Sequence, residues 1–286
     1  MSGGAAINPR FAELPEALRR QSVTASLGGV PALLAHPEAG WQEAGARPAA
    51  RPVMIWMHGR TVNKELDPGR YLRWIRAAGG GIAACALDLP GHGERFDAAR
   101  QGSDATLEIV EQMAREVDSV VEALGEARWR GAFDLSRVGI GGMSAGGMVT
   151  LVRLTRAHSF RCAAVEATAG DFDMMSHFVA FSTRGGRDPE RRLARALNPV
   201  AHLEAWRPVP LLALHSEADE WVPIAAIRSL VEELKKRYAA AGADAETVEL
   251  KTWERTGAPN EHAGFGRVAS AAKDAQLAFL QKWLAG

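Results

Sequence analysis

Ser144 stands in Gly142-Met143-Ser144-Ala145-Gly146, directly after an apolar run and just before another. Glycines two residues to either side of a serine suit a turn so tight that Cβ atoms at those positions would collide, leaving the hydroxyl at its tip. The competing reading is a flexible glycine-rich turn with an incidental serine. The strand-like run before and the helix-like run after favour the tight turn. A serine hydroxyl is a weak nucleophile at neutral pH. It needs a base within hydrogen-bond reach, and the base needs an acid to orient it. With the nucleophile on such a turn, both should follow it in the chain, acid before base. Asp219 lies just past the apolar run of "LLALHSEADEWVP", and His262 lies in the Gly/Pro/Asn-rich loop of "WERTGAPNEHAGFG".

Both roles have rivals. Glu217 and Glu220 flank Asp219, and Asp171 and Asp173 follow an earlier apolar run. Asp88 ends a run that precedes the serine, so it reads as a loop anchor. His58 precedes the turn in "HGRTVN", His92 lies in "PGHGER", and His215 ends an apolar run and reads as a packed strand-end residue. His36, His158, His177 and His202 lie outside any motif and read as solvated or locally satisfied.

These residues need elements to hold them. "SVTASLGGVPALLAHP" alternates and breaks at Gly28-Gly29, as a β-hairpin does. Apolar runs in "VMIWMHG" (53–59), in "GIAACALDLPGHGER" (81–95), where one runs into a Pro/Gly loop, in "RVGIGGMSAGG", in "RCAAVEATAG" and in "VPLLALHSEADEWVP" (209–223) read as strands, with a last strand at 247–255. Between them the spacing predicts helices at 68–78, 105–124, 147–157, 223–238 and 269–284. In the second of these, Leu107, Val110, Met113, Val117, Val120 and Leu124 recur every three or four residues behind Asp104 as N-cap. A short helix is expected at 11–20 in an N-terminal leader of residues 1–21. Alternating strands and helices predict a mostly parallel sheet with helices on both faces and a site at the carboxyl ends of the strands.

From residue 53 onward, "WMHG", "DLPGHGER", "GMSAGG", "HSEADEWVP" and "EHAGFG" occur in that order. In this the chain resembles the α/β-hydrolase superfamily, in particular its dienelactone hydrolase and prolyl-oligopeptidase-like serine esterase branch. The resemblance, running from about residue 53 to the end, implies an α/β-hydrolase fold with a mostly parallel eight-stranded sheet; with no internal repeat and no linker long enough to separate two domains, residues 1–286 read as a single domain. It also implies a Ser144–Asp219–His262 triad and no cofactor. Asp219 matches the D-x-x-V-P spacing through Asp219-Glu220-Trp221-Val222-Pro223. One oxyanion-hole donor would be the Ala145 N–H. The other would be that of Arg60, or of Gly59, because this chain reads "HGRTVN". Dienelactone hydrolases themselves use cysteine where this chain has serine.

Lys plus Arg equals Asp plus Glu, 34 each, which speaks against a nucleic-acid or anionic-membrane surface. The first twenty residues lack an apolar h-region and no run approaches membrane-spanning length, so the expected compartment is the cytoplasm. Cys85 and Cys162 sit in apolar runs and read as packing thiols. The segment 171–198 interrupts the alternation. Phe172, Met175, Phe178 and Val179 fall at helical spacing, followed by a basic stretch containing Arg184, Arg187, Arg191, Arg192 and Arg195. It reads either as a packed helix with a solvated basic tail or as a small cap whose Met175 and Phe178 touch an acyl group. Trp221 either walls the site or packs under the acid loop.

The function expected is hydrolysis of a small-molecule carboxylic ester through an acyl-enzyme, with a homodimer left open. Aminopeptidase or acyl-peptide hydrolase, acyltransferase, and non-catalytic binding protein are the alternatives. The peptidases of this fold usually carry a large extra domain, for which 286 residues leave little room.

Overall fold

The structure, a computed structural model, describes residues 14–175 and 189–286. Eight strands make one sheet in the order β1-β2-β4-β3-β5-β6-β7-β8. They are β1 Ser22–Leu27, β2 Val30–Ala35, β3 Arg51–Met57, β4 Ala83–Leu87, β5 Phe133–Met143, β6 Cys162–Glu166, β7 Leu211–Ser216 and β8 Val248–Trp253. β2 runs antiparallel to β1 and β4, and every other pairing is parallel. The β1–β2 hairpin turns through Gly28 and Gly29, both at positive φ, as a two-residue turn requires.

Side chains on a strand alternate between faces. Along β3, Val53, Ile55 and Met57 enter one core, while Met54 and Trp56 enter the other. The first core is covered by α3 (Thr106–Leu124), α4 (Ala145–Leu154) and α6 (Ile224–Ala240). The second lies under α2 (Pro68–Ile75) and α7 (Ala269–Leu280). Both faces of the central strands are thus dry, which is why these strands read as unbroken apolar runs. Each fully buried Ile, Leu or Val contributes about 1.5–3 kcal/mol relative to an exposed one. Cys85 and Cys162 are free and buried, and burial pushes the Cys162 thiol up to about 12, so both are inert packing groups.

Two short helices complete the described chain: α1 (Glu16–Arg19), near the N-terminus, and α5 (Pro189–Leu197). Several boundaries differ from expectation. Asp104 is not an N-cap; a 3₁₀ turn over Ser103–Ala105 runs straight into α3, whose first residue follows Ala105. α4 starts at Ala145, immediately after the serine, because the serine itself makes the turn. α7 gives way at Gln281 to a wider π-turn through Ala285. Of the 171–198 segment, a 3₁₀ turn at Phe172–Met174 and helix α5 are described. In α5, Arg192 and Arg195 face solvent while Leu193 and Ala194 pack on the core. Phe178 and Val179, with Arg184 and Arg187, lie outside the described residues. Among the described residues no helix is long and apolar enough to cross a membrane.

Candidate active site

Three parallel strands deliver the three groups. β5 ends at Met143 and Ser144 follows; β7 ends at Ser216, three residues before Asp219; β8 ends at Trp253, and His262 comes from the loop beyond. Ser144 has φ +51° and ψ −116°, a conformation that L-residues avoid at a cost of about 1–3 kcal/mol. Three hydrogen bonds hold it there. Its N–H donates to the Glu166 carbonyl at 2.8 Å, and its carbonyl accepts from the Met148 N–H at 2.9 Å and the Thr168 hydroxyl at 2.7 Å. A Cβ on Gly142 would collide with the Gly146 backbone, and one on Gly146 with the Met57 carbonyl. This is the steric reason for the two glycines.

Ser144 Oγ lies 3.0 Å from His262 Nε2, and His262 Nδ1 lies 2.8 Å from Asp219 Oδ2. A carboxylate only accepts, so Nδ1 carries the proton and Nε2 is left as the acceptor facing the serine. Asp219 Oδ1 takes the N–H groups of Trp221 (2.9 Å) and Val222 (2.8 Å), which fixes the carboxylate plane. The arrangement can draw a proton from Ser144 onto His262 while a buried carboxylate steadies the resulting cation. Of the acid rivals, Glu217 bonds Arg228 and Thr252, and Glu220 bonds Asn260. Asp171 binds Ser229 and caps its own turn. None of these carboxylates bonds His262.

His215 is buried beside Asp219, its Nε2 2.9 Å from the Val222 carbonyl and 3.5 Å from Asp219 Oδ2. The carbonyl can only accept, so this nitrogen holds the proton. Burial, above all, lowers the pKa of the ring, which braces the acid loop in neutral form. Asp88 anchors the 59–65 loop, as expected, by accepting from the Lys64 N–H and ammonium. Burial alone would raise its pKa, but hydrogen bonds from the Lys64 ammonium and from the Lys64 and Glu94 amides outweigh it and bring the carboxyl to about 2.

Gly59 lies against the serine: a Cβ there would come within 3.4 Å of Ser144 Cβ. The Gly59 carbonyl is 2.5 Å from His58 Nδ1, while His58 Nε2 accepts from the Leu89 N–H at 3.1 Å. The tautomer is thereby set. In a trans peptide the next N–H, that of Arg60, points opposite to the Gly59 carbonyl. The Ala145 N–H opens α4 and has no carbonyl one helical turn before it.

The site opens on a cavity of about 770 Å³ lined on its apolar side by Met143, Met148, Met175, Trp221, Val222 and Phe265. Met175 is buried and lines the cavity. Trp221 does not pack under the acid loop. It is 55% exposed and leans on His262, ring centroids 5.0 Å apart.

Sequence reasoning missed Arg70, Glu166 and Glu261. Arg70 holds Glu166 through two bonds of 2.6 and 2.8 Å, beneath the cavity and behind the serine amide. Glu261 and Asn260 both have positive φ just before His262. The Glu261 carboxylate holds this strained loop through the Thr256 and Gly257 amides and the Thr256 and Ser216 hydroxyls. The Thr256 amide foremost, with the other donors, overcomes burial and brings the Glu261 carboxyl to about 2. A depressed carboxyl contributes stability above its usual pKa near 4.5 and loses that contribution as pH falls toward about 2. Glu261→Gln should flatten the fall in Tm across that window and, by loosening His262, lower kcat by up to about 10²-fold. Equal Tm slopes in the two proteins would refute the first part. Unchanged kcat would refute the second.

A mostly parallel sheet that presents a Ser–His–Asp chain at its carboxyl edge defines an α/β-hydrolase. The sequence profile of the prolyl oligopeptidase family matches residues 79–286, and the chain belongs to that family. It is similar to Esterase YjfP of Escherichia coli (strain K12), 27% identical over 206 residues, covering 69% of this chain and 78% of that one. TT1662 from Thermus thermophilus shares the fold with TM-score 0.64 and 22% identity, over 93% of this chain and 98% of the other. A puromycin-hydrolyzing peptidase of Mycobacterium tuberculosis shares it with TM-score 0.68 and 19% identity. There the match covers 96% of this chain but 42% of that one. The protein is a hydrolase, and its relatives include both esterases and peptidases.

Proposed function

We propose that the protein hydrolyses small, soluble carboxylic esters through an acyl-enzyme. Ser144 Oγ attacks the ester carbonyl carbon as His262 Nε2 takes its proton and Asp219 steadies the imidazolium. The Ala145 and Arg60 N–H groups hold the oxyanion; losing one such donor typically costs 10²–10³ in kcat. The carbonyl–oxygen bond to the alcohol then breaks, and the alcohol leaves with the proton from His262. Water, deprotonated by His262, repeats the attack and releases the acid and Ser144. The observation that carries this reading is the unbroken hydrogen-bond chain from Ser144 to Asp219, opening on the cavity.

An ester is favoured over the N-terminus of a peptide by the charges along the cavity wall. Its two carboxylates outside the relay, Asp67 and Glu166, are bonded to Lys273 and Arg70. Among the described lining residues this leaves no carboxylate free for an α-ammonium group. A panel of chromogenic esters and amides of varied acyl length tests the reading; faster turnover of aminoacyl amides than of any ester would overturn it in favour of a peptidase. Within the ester series, kcat/KM should peak at short acyl groups. Trp221→Ala should move the peak to longer ones, because each methylene admitted to an apolar site is worth about 1–3 kcal/mol. A rise with chain length already present in the wild type would refute the small-ester assignment.

A further inference from the structure

The charges along the cavity wall do not balance. Arg70 pairs with Glu166 at 2.6 Å and with Asp67 at 3.2 Å, and Lys273 pairs with Asp67 at 2.7 Å. Arg60 has no such partner: among the described residues no carboxylate reaches it. Its guanidinium donates only to uncharged oxygens, the Thr106 hydroxyl at 2.8 Å and the Arg100 carbonyl at 3.1 Å. Among the described residues, three of its five N–H donors find no partner. Asp104, on the adjoining 3₁₀ turn, is exposed and acts on Arg60 only at a distance, while the Arg100 cation opposes it. Burial, the largest influence, disfavours the Arg60 charge. A guanidinium nonetheless stays protonated, so the cavity wall carries a charge that no carboxylate among the described residues neutralises.

The location matters as much as the charge. Gly59 touches the serine, and the Arg60 side chain runs from there to the mouth of α3, where Ser103 and Thr106 also line the cavity. The positive end of the 19-residue α3 lies at the same place. An anion here would sit one arginine side chain from the reacting carbonyl.

We infer that the cavity selects esters that carry a carboxylate, bound by the Arg60 guanidinium with the Ser103 hydroxyl as a second donor. This rests on the ester-hydrolase reading above. It specifies what that reading leaves open: the substrate is a monoanion with its charge on either the acyl or the alcohol side. A neutral ester leaves the guanidinium desolvated and unmatched. A carboxylate gains a charge-assisted and often paired hydrogen bond, worth about tenfold to a hundredfold in kcat/KM.

The test compares isosteric pairs by release of acid in a pH-stat. Monoethyl succinate is set against ethyl succinamate for the acyl side, and O-butyryl glycolate against O-butyryl glycolamide for the alcohol side. The wild type should prefer the charged member of at least one pair by about tenfold or more. The pair that responds identifies the side. Arg60→Gln should bring that ratio to about one, and Arg60→Lys should restore part of it, a lysine keeping the charge without the fork. Tm of each variant reports whether the Thr106 tether mattered to the fold; the wild-type ratio stands whatever the variants do. Neutral esters turned over with both ratios at or below one would overturn the anion site and leave the hydrolase reading intact. A ratio unchanged in a folded Arg60→Gln protein would also overturn it. No turnover of any ester, with no fluorophosphonate label on Ser144, would overturn both.

Discussion

Ser144→Ala should abolish ester turnover, lowering kcat by about 10⁶-fold, as nucleophile removal does in other serine hydrolases. The size of the effect follows from the geometry. Ser144 is the only hydroxyl within hydrogen-bond distance of His262 among the described residues, and α4 begins with its unbonded amides at the next residue. Without Oγ no acyl-enzyme forms, and the remaining acceleration would come from the oxyanion donors and binding alone. The fold should survive, because Oγ contributes only the bond to His262, while the strained turn is held by the Ser144 backbone through Glu166, Met148 and Thr168. A fluorophosphonate probe should add once to the wild type and not at all to the variant, with Tm little changed. A probe adduct on any other residue, or turnover retained in the alanine protein, would dispose of Ser144 as the nucleophile.

Asp219→Asn should cost on the order of 10⁴ in kcat while leaving the protein folded. An amide at this position can turn its NH₂ toward His262 Nδ1. That nitrogen would then become the acceptor, and the proton would move to Nε2, the side facing the serine. The two backbone donors at Oδ1, from Trp221 and Val222, favour keeping the amide oxygen there, which directs the NH₂ toward the histidine. The unfavourable tautomer is therefore built into the loop. Glu217→Gln and Glu220→Gln alter bonds to Arg228, Thr252 and Asn260 and should cost far less. Asp173→Asn, near the end of β6, should likewise leave turnover almost intact. A crippled Asp173 variant beside an active Asp219 variant would transfer the acid role to the earlier strand.

Much of the fold was legible because the central strands are buried on both faces. "VMIWMHG" and "VPLLALHS" read as unbroken apolar runs for that reason, and the helices between them show their period as amphipathic surfaces. Helix ends were less legible. Asp104 has the chemistry of a cap, yet the chain continues through it as a 3₁₀ turn, since packing outweighs so small a preference.

The same division holds at the site. The sequence by itself pointed to the candidates: to Ser144 by its glycines, whose absence of Cβ leaves a local trace, and to Asp219 and His262 by their places just after strands, with the D-x-x-V-P resemblance setting Asp219 ahead of its rivals. Such signals are short-range, written within a few residues of the group concerned. Only the tertiary structure decided what surrounds them. Arg70 and Glu166 are 96 residues apart, and Lys273 and Asp67 are 206 apart. No local pattern marks which charges will neutralise one another. Nor could the chain alone tell that Trp221 leans on His262, that Glu261 holds a strained loop, or that no carboxylate among the described residues pairs with Arg60. Pairing and burial are properties of the folded surface, set by which strands the sheet brings side by side.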